Sequence, residues 1–276
     1  MKYNIRCDME GLTGITRMDQ VQTEGKNYQQ GRDALIHDLR AVIDGIKEIE
    51  PDAEIIIYDI HKEGANLALL DLPQNVSYVA GKPAYTEECS GFIEGCAGMF
   101  LVGFHGKAGS VSALMPHSYE WDILDLQVNG VSLGEVGVEV AIAGEKGVPS
   151  LFYSGDSVGA AEFKGMIPDG IAVSVKESLS DFAAVCLSGP SVAEQLRRGA
   201  AEAVKRSRSL TPYKAPFIKG PVELKIRLKD NAYRKALKDL HPEVFIDDES
   251  VVIKKDTVTA GFAFYWKIKN QAKSDI

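Results

Sequence analysis

The sequence predicts an α/β fold: a doubly wound, three-layer α/β/α main domain with a smaller C-terminal α+β part. Three observations predict it. Short continuous apolar runs, such as Ile55-Ile56-Ile57 and Met99-Phe100-Leu101-Val102, alternate with helical stretches, as in a parallel sheet covered on both faces. Polar loops containing glycine follow these runs, where open α/β sheets build their sites. Beyond about residue 210 the pattern changes, and Val222, Leu224, Ile226 and Leu228 alternate as a half-exposed strand does. The 276 residues suffice for a large unit and a small one, with the expected division at 1–210 and 211–276.

Tyr3 to Cys7 reads as the first strand, followed by Asp8-Met9-Glu10-Gly11 and a polar loop to about Lys26. Leu35, Leu39, Val42, Ile43, Ile46 and Ile49 recur at helical spacing and predict a helix from Tyr28 to Glu50, which Pro51 ends. Glu54 to Tyr58 is a buried strand, with Asp59-Ile60-His61-Lys62-Glu63-Gly64 at its end. A turn or short helix around Ala65 to Leu70, a strand from Val76 to Ala80 and a helix over 85–96 come next. Gly98 to Phe104 is another buried strand, ending in His105-Gly106-Lys107-Ala108-Gly109.

Ile123 to Val128 and Val131 to Leu133 flank Asn129-Gly130, a pair suited to a type I′ hairpin turn. An apolar helix runs from Gly134 to Ala143. Strands follow at Val148 to Tyr153, ending in Ser154-Gly155-Asp156, and at Ile171 to Val175. Ser191-x-x-Glu194 reads as a capping box opening a helix to Ser207. Thr211 to Pro216 reads as a linker. A strand over 222–228, a helix over 231–240, a strand from Val251 to Ile253 and a helix over 257–270 complete the chain.

The net charge is 31 − 39 = −8 with no long basic run, which argues against nucleic acid as a partner. Four cysteines, none in a C-x-x-C pair, do not form a disulfide framework. No secretory segment opens the chain and no apolar run is long enough to span a membrane. The expectation is a cytoplasmic protein with reduced thiols and no membrane association.

Asp8 and Glu10, His61, and His105 each follow a different strand. Two carboxylates brought together need a cation to neutralise them. Histidine and carboxylate donors suit zinc, manganese or iron. Two ions sharing a carboxylate would activate water for hydrolysis. Glu135 at a helix start is a further candidate, with Glu139 one turn along as its rival. His117 is either a turn residue or a catalytic group. His37 and His241, without acidic partners, read as surface, and Cys7 as core. Gly103-x-x-Gly106-x-x-Gly109 imitates a phosphate loop but has the wrong spacing and encloses His105. Ser154-Gly155-Asp156 and Lys176-Glu177-Ser178 are further polar sets at strand ends, without an assigned role.

These residues resemble those of the zinc-dependent D-aminopeptidases. The likeness is carried by Asp8-Met9-Glu10-Gly11, Tyr28, Gly31-Arg32, Asp59-x-His61 with Asn66-Leu67, and Gly103-Phe104-His105. Met115-x-His117-Ser118, Asn129-Gly130, Gly134-Glu135-Val136-Gly137, Gly155-Asp156 and Val175-Lys176 continue it in order through most of the first 190 residues. The C-terminal part matches only in outline. The resemblance implies two zinc ions per chain; the donor types themselves also admit Mn²⁺ or another divalent ion. Asp8 would bridge them, Glu10 and His61 would complete one site, and His105 and Glu135 the other. It also implies His117 as the catalytic histidine, release of N-terminal D-amino acids from short peptides, and a homo-oligomer, a ring-shaped decamer. The alternatives are a metal-dependent amidase or phosphoesterase, and a non-enzymatic module that binds dipeptides or stores metal.

Overall fold

The structure is a computed structural model that describes residues 1–68, 72–82, 91–207 and 220–274. In chain order its elements are β1 (Lys2–Cys7), α1 (Tyr28–Ile49), β2 (Glu54–Asp59), β3 (Val76–Val79), β4 (Gly98–Phe104), β5 (Ile123–Val128) and β6 (Val131–Ser132). They continue with α2 (Glu135–Glu145), β7 (Ser150–Asp156), α3 (Ser157–Met166), β8 (Ile171–Ser180), β9 (Ala183–Cys186) and α4 (Gly189–Ser207). The last are β10 (Val222–Leu228), α5 (Ala232–Leu240), β11 (Ser250–Lys255) and α6 (Val258–Ser274).

Seven strands form one sheet in the order β3-β2-β1-β4-β7-β8-β9, parallel except for the antiparallel pair β8 and β9. Helices α1 and α4 pack on each other over one face, around Leu35, Leu39, Val42, Ile46, Leu196 and Val204. Helices α2 and α3 cover the other, around Val136, Val140 and Phe163. The predicted three-layer α/β architecture is therefore present. The chain runs outward from β1 through β2 to β3, then returns to β4 on the opposite side of β1. That reversal opens a crevice at the carboxyl ends of β1 and β4. Cys7 pairs with Asp59 on one side and Val102 on the other, so β1, β2 and β4 end close to level.

A second, antiparallel sheet has the order β11-β10-β5-β6. Helices α5 and α6 cover it, burying Leu224, Ile226, Leu237, Phe262 and Tyr265. Asn129 and Gly130 both adopt left-handed backbone, as a type I′ turn requires. The hairpin β5–β6 thus completes a sheet whose other strands lie in the segment after 211, so this sheet draws on both expected units.

Several expectations need correction. Over 91–96 the chain turns and bends, and Gly91, Phe92 and Gly95 have positive φ, which breaks a right-handed helix. The remainder of the helix expected over 85–96, and the linker over 211–216, lie outside the described residues. Helix α4 starts at Gly189, ahead of Ser191, whose hydroxyl meets that of Ser188 at 2.9 Å, while Glu194 pairs with Arg197. The expected capping box is therefore inside the helix. Helix α3 and edge strand β9 were not foreseen. Asp156 caps α3, accepting the Gly159 N–H at 2.7 Å. Among the described residues no helix is long and apolar enough to cross a membrane.

The crevice depends on close approach of two backbones. The Gly11 N–H donates to the Gly103 carbonyl at 2.8 Å, and a Cβ on Gly11 would lie 1.8 Å from the Phe104 carbonyl oxygen. Gly11→Ala should therefore part the ends of β1 and β4 and destabilise the chain by roughly 3 kcal/mol. Denaturant unfolding checks this; an unchanged midpoint would show that the two ends can separate freely.

Candidate metal centre

Asp8 and Glu10 leave the end of β1 as a tightly held loop. The Asp8 N–H donates to the Val102 carbonyl at 2.9 Å. Asp38 of α1 accepts the Thr13 N–H at 2.9 Å and its hydroxyl at 2.7 Å. Lys176 of β8 is buried and donates to the carbonyls of Glu10 at 2.6 Å, Leu12 at 2.9 Å and Ile15 at 2.5 Å. Burial pushes its ammonium down to about 8, against the opposing pull of Asp156. Lys176 thus satisfies the Glu10 and Ile15 carbonyls and shares that of Leu12 with the Ile15 N–H, which donates to it at 3.2 Å.

His61 follows β2, and its N–H donates to Asp59 at 3.0 Å. Asp59 also accepts from the Asn66 N–H, the Asn66 amide and the Tyr78 hydroxyl at 2.9–3.1 Å. Asn66 in turn donates to the His61 carbonyl at 3.0 Å and is held by Tyr28 and Arg32 of α1. His105 follows β4, where the neighbouring Gly106 N–H donates to Asp156 at 3.3 Å. Glu135 is the first residue of α2, where the helix dipole favours an anion, and it accepts the Tyr119 N–H at 2.6 Å.

The structure brings the five expected donors together. Asp8, Glu10 and His61 form one group, and Asp8, His105 and Glu135 another, each with donor atoms within 4.8 Å of one another. Asp8 belongs to both. A third group, Glu10, His105 and His117, overlaps them. Across the centre, His61 Nδ1 lies 3.0 Å from Asp8 and 3.1 Å from Glu10, and His105 Nε2 lies 3.3 Å from Asp8 and 3.5 Å from Glu135. His117 Nε2 is 3.7 Å from Glu135.

The outer nitrogen of each ring faces a backbone carbonyl: His61 Nε2 that of Val21 at 2.7 Å, His105 Nδ1 that of Gly106 at 2.9 Å, His117 Nδ1 that of Met115 at 3.0 Å. A carbonyl only accepts, so those nitrogens carry the proton. The inner nitrogens are aimed at carboxylates, an arrangement that needs a cation between them, a proton or a metal ion. Asp8 Oδ2, Glu10 Oε2 and His105 Nε2 are buried without a hydrogen-bond partner among the described residues.

Burial alone would lower His61 and His105, but Glu10 and Asp8 around the first, and Asp8 and Glu135 around the second, hold both well above the ordinary histidine value. Burial alone would raise Asp8, yet His105 and His61 hold it well below the usual carboxylate range; Glu10 is lowered chiefly by the charge of His61. Without metal these histidines bind protons at neutral pH, and a divalent cation must displace them. Metal affinity should therefore rise with pH, by roughly 10- to 100-fold per unit for one or two protons released. Calorimetry in buffers of different ionisation enthalpy checks this; affinity independent of pH would contradict it.

The donor set fits a divalent ion of the zinc, manganese or iron kind. Among the described residues no thiol joins it; Cys7, the last residue of β1, is buried in the core, as expected. The rivalry between the two glutamates of α2 is resolved by charge: Glu139 forms a buried ion pair with Arg6 of β1 and accepts the Tyr119 hydroxyl at 2.8 Å. Gly103 and Gly106 serve close packing: a Cβ on Gly103, within β4, would sit 2.2 Å from the Asp8 carbonyl oxygen, and one on Gly106 would meet the side chains of Val158 and Ala113 at 2.8–2.9 Å. Contrary to expectation, His37 and His241 do have acidic partners, Asp38 at 2.8 Å and Glu243 at 3.2 Å. Neither histidine belongs to the donor groups.

A cleft of about 1180 Å³ opens over the donors, with Ala260, Ala263, Phe264 and Lys267 of α6 among its lining residues. Sequence reasoning missed this wall, and it missed Trp121, which stacks on His117 with ring centroids 4.4 Å apart. It noted Lys176 and Asp156 at strand ends but gave them no role.

The model of the D-aminopeptidase family matches residues 1–265. A D-aminopeptidase of Bacillus subtilis (strain 168) is 26% identical over 216 residues, covering 78% of this chain and 78% of the relative. The solved structure of the Zn-dependent D-aminopeptidase DppA from Bacillus subtilis, a self-compartmentalizing protease, superimposes with a TM-score of 0.87. That match covers 99% of this chain and 98% of the other at 22% identity, a likeness of fold. With the family match spanning nearly the whole chain, donors included, the chain belongs to the D-aminopeptidase family of peptide-bond hydrolases.

Proposed function

We propose that the chain is a dinuclear zinc aminopeptidase that releases N-terminal residues of D configuration from short peptides. One observation carries the dinuclear reading: two groups of buried donors share Asp8. Asp8 would contact both ions, Glu10 and His61 would complete one site, and His105 and Glu135 the other. Ions bound there supply Lewis acidity to the scissile carbonyl and lower the pKa of a water molecule.

His117, with Nδ1 committed to the Met115 carbonyl and Nε2 free toward the cleft, delivers a proton to the leaving amine. The substrate's free α-amino group would be received by a metal or by a nearby carboxylate, which restricts cleavage to the chain end. Preference for the D configuration is supported by the family match. Assembly into a closed homo-oligomer is supported by the likeness to a self-compartmentalizing protease; ten copies is the number that the family resemblance implies. Exposed Phe182 and Val185 along the sheet edge suit burial between copies.

Turnover of D-Ala-D-Ala, L-Ala-L-Ala and an aryl phosphate by zinc-replete protein tests the reading. Cleavage of the D-dipeptide above the other two is expected. Cleavage of the phosphate alone would contradict it, and so would peptide binding without turnover.

A further inference from the structure

We propose that Trp121 is a positioning residue that clamps the His117 ring in its working orientation. The proposal rests on the reading of His117 as the proton-delivering group. The rings of His105, His117 and Trp121 form a continuous stack. His105 and His117 have centroids 4.2 Å apart with planes inclined by 7°; His117 and Trp121 are 4.4 Å apart and inclined by 8°.

The imidazole of His117 has two degrees of freedom to fix. The Met115 carbonyl accepts from Nδ1 at 3.0 Å and sets the ring's direction within its plane. The plane itself is set by the rings on either side, because the terminal torsion of histidine is broad and has no strong preference of its own. His105 is held from behind by the Gly106 carbonyl at 2.9 Å and cannot follow if His117 tilts. Trp121 supplies the opposite face. With both faces covered, Nε2 is left pointing toward Glu135 at 3.7 Å.

The indole nitrogen of Trp121 carries a proton and offers no lone pair to a metal ion. It is 42% exposed and lines the cleft over the donors. Its removal should therefore cost little stability and leave metal binding intact, while letting the His117 ring turn. A misplaced proton donor affects the chemical step and spares ground-state binding.

The test compares zinc-replete wild-type protein with Trp121→Ala, Trp121→Phe, His117→Ala and the Trp121→Ala/His117→Ala double variant on D-Ala-D-Ala. Trp121→Ala should lower kcat by about 10- to 100-fold with KM and metal content unchanged. Trp121→Phe, which keeps an aromatic face, should recover most of the loss. The double variant should be no slower than His117→Ala alone, because a clamp has no effect once the ring is gone. A crystal structure of Trp121→Ala should show the His117 ring rotated. If Trp121→Ala does not fold, Trp121→Leu, which fills the space without a flat face, takes its place.

An unchanged kcat in the Trp121 variant, with His117→Ala severely impaired, overturns the clamp and leaves the reading of His117 intact. A raised KM at constant kcat overturns it in favour of a substrate-binding wall. A further loss in the double variant overturns it as well. Full activity in His117→Ala removes the reading on which it rests.

Discussion

Asp8→Asn is expected to abolish metal binding at both positions and to lower turnover by about a thousandfold or more. The side chain keeps its size, so the loop after β1 can retain its hydrogen bond from Asp8 to the Val102 carbonyl. What changes is charge. Asp8 is the one donor common to the two groups that include His61 and Glu135 respectively, and an amide offers a single weak acceptor where a carboxylate offers two charged oxygens. Each group then retains a carboxylate and a histidine, too few to hold an ion tightly. Zinc analysis should fall from two ions per chain toward none. Retention of both ions would show that Asp8 is not shared between them.

His117→Ala is expected to separate metal binding from catalysis. It should retain both ions, because Asp8, Glu10, His61, His105 and Glu135 remain, and lose about 10²- to 10⁴-fold in kcat. The contact of His117 with Glu135 is longer than those among the other donors, and its ring is held by Met115 and its stacked neighbours. Unchanged turnover with metal retained would remove it from the proton-transfer role. Loss of one ion would make it a ligand, as its place in the third donor group allows.

The parallel core was legible because burial on both faces forces continuous apolar runs. Ile55 to Ile57 in β2 and Met99 to Val102 in β4 carry that signal. The donors were legible because open sheets place chemistry at strand ends, and Asp8, His61 and His105 stand there. Helix α3 was not, since Gly159, Ala160 and Ala161 give it no clear apolar stripe. Strand β9 was missed because its residues are mostly exposed at the sheet edge. The pairing of β5 with β10 joins segments roughly a hundred residues apart, Leu126 to Ile226 for example, and no local pattern announces it.

Side-chain choices made by tertiary neighbours were equally hidden. Glu135 and Glu139 sit one turn apart on α2, and only the position of Arg6 on β1 decides which is free for the centre. Lys176 reaches carbonyls more than 160 residues earlier in the chain. The stack of Trp121 on His117 depends on the path of a loop in which Met115 and Tyr119 both take left-handed backbone.

Crystals grown with zinc and measured on both sides of its absorption edge test the shared centre most directly. Two anomalous peaks are expected, one beside Glu10 and His61, the other beside His105 and Glu135, with Asp8 touching both. A single peak, or two peaks of which only one contacts Asp8, would contradict it.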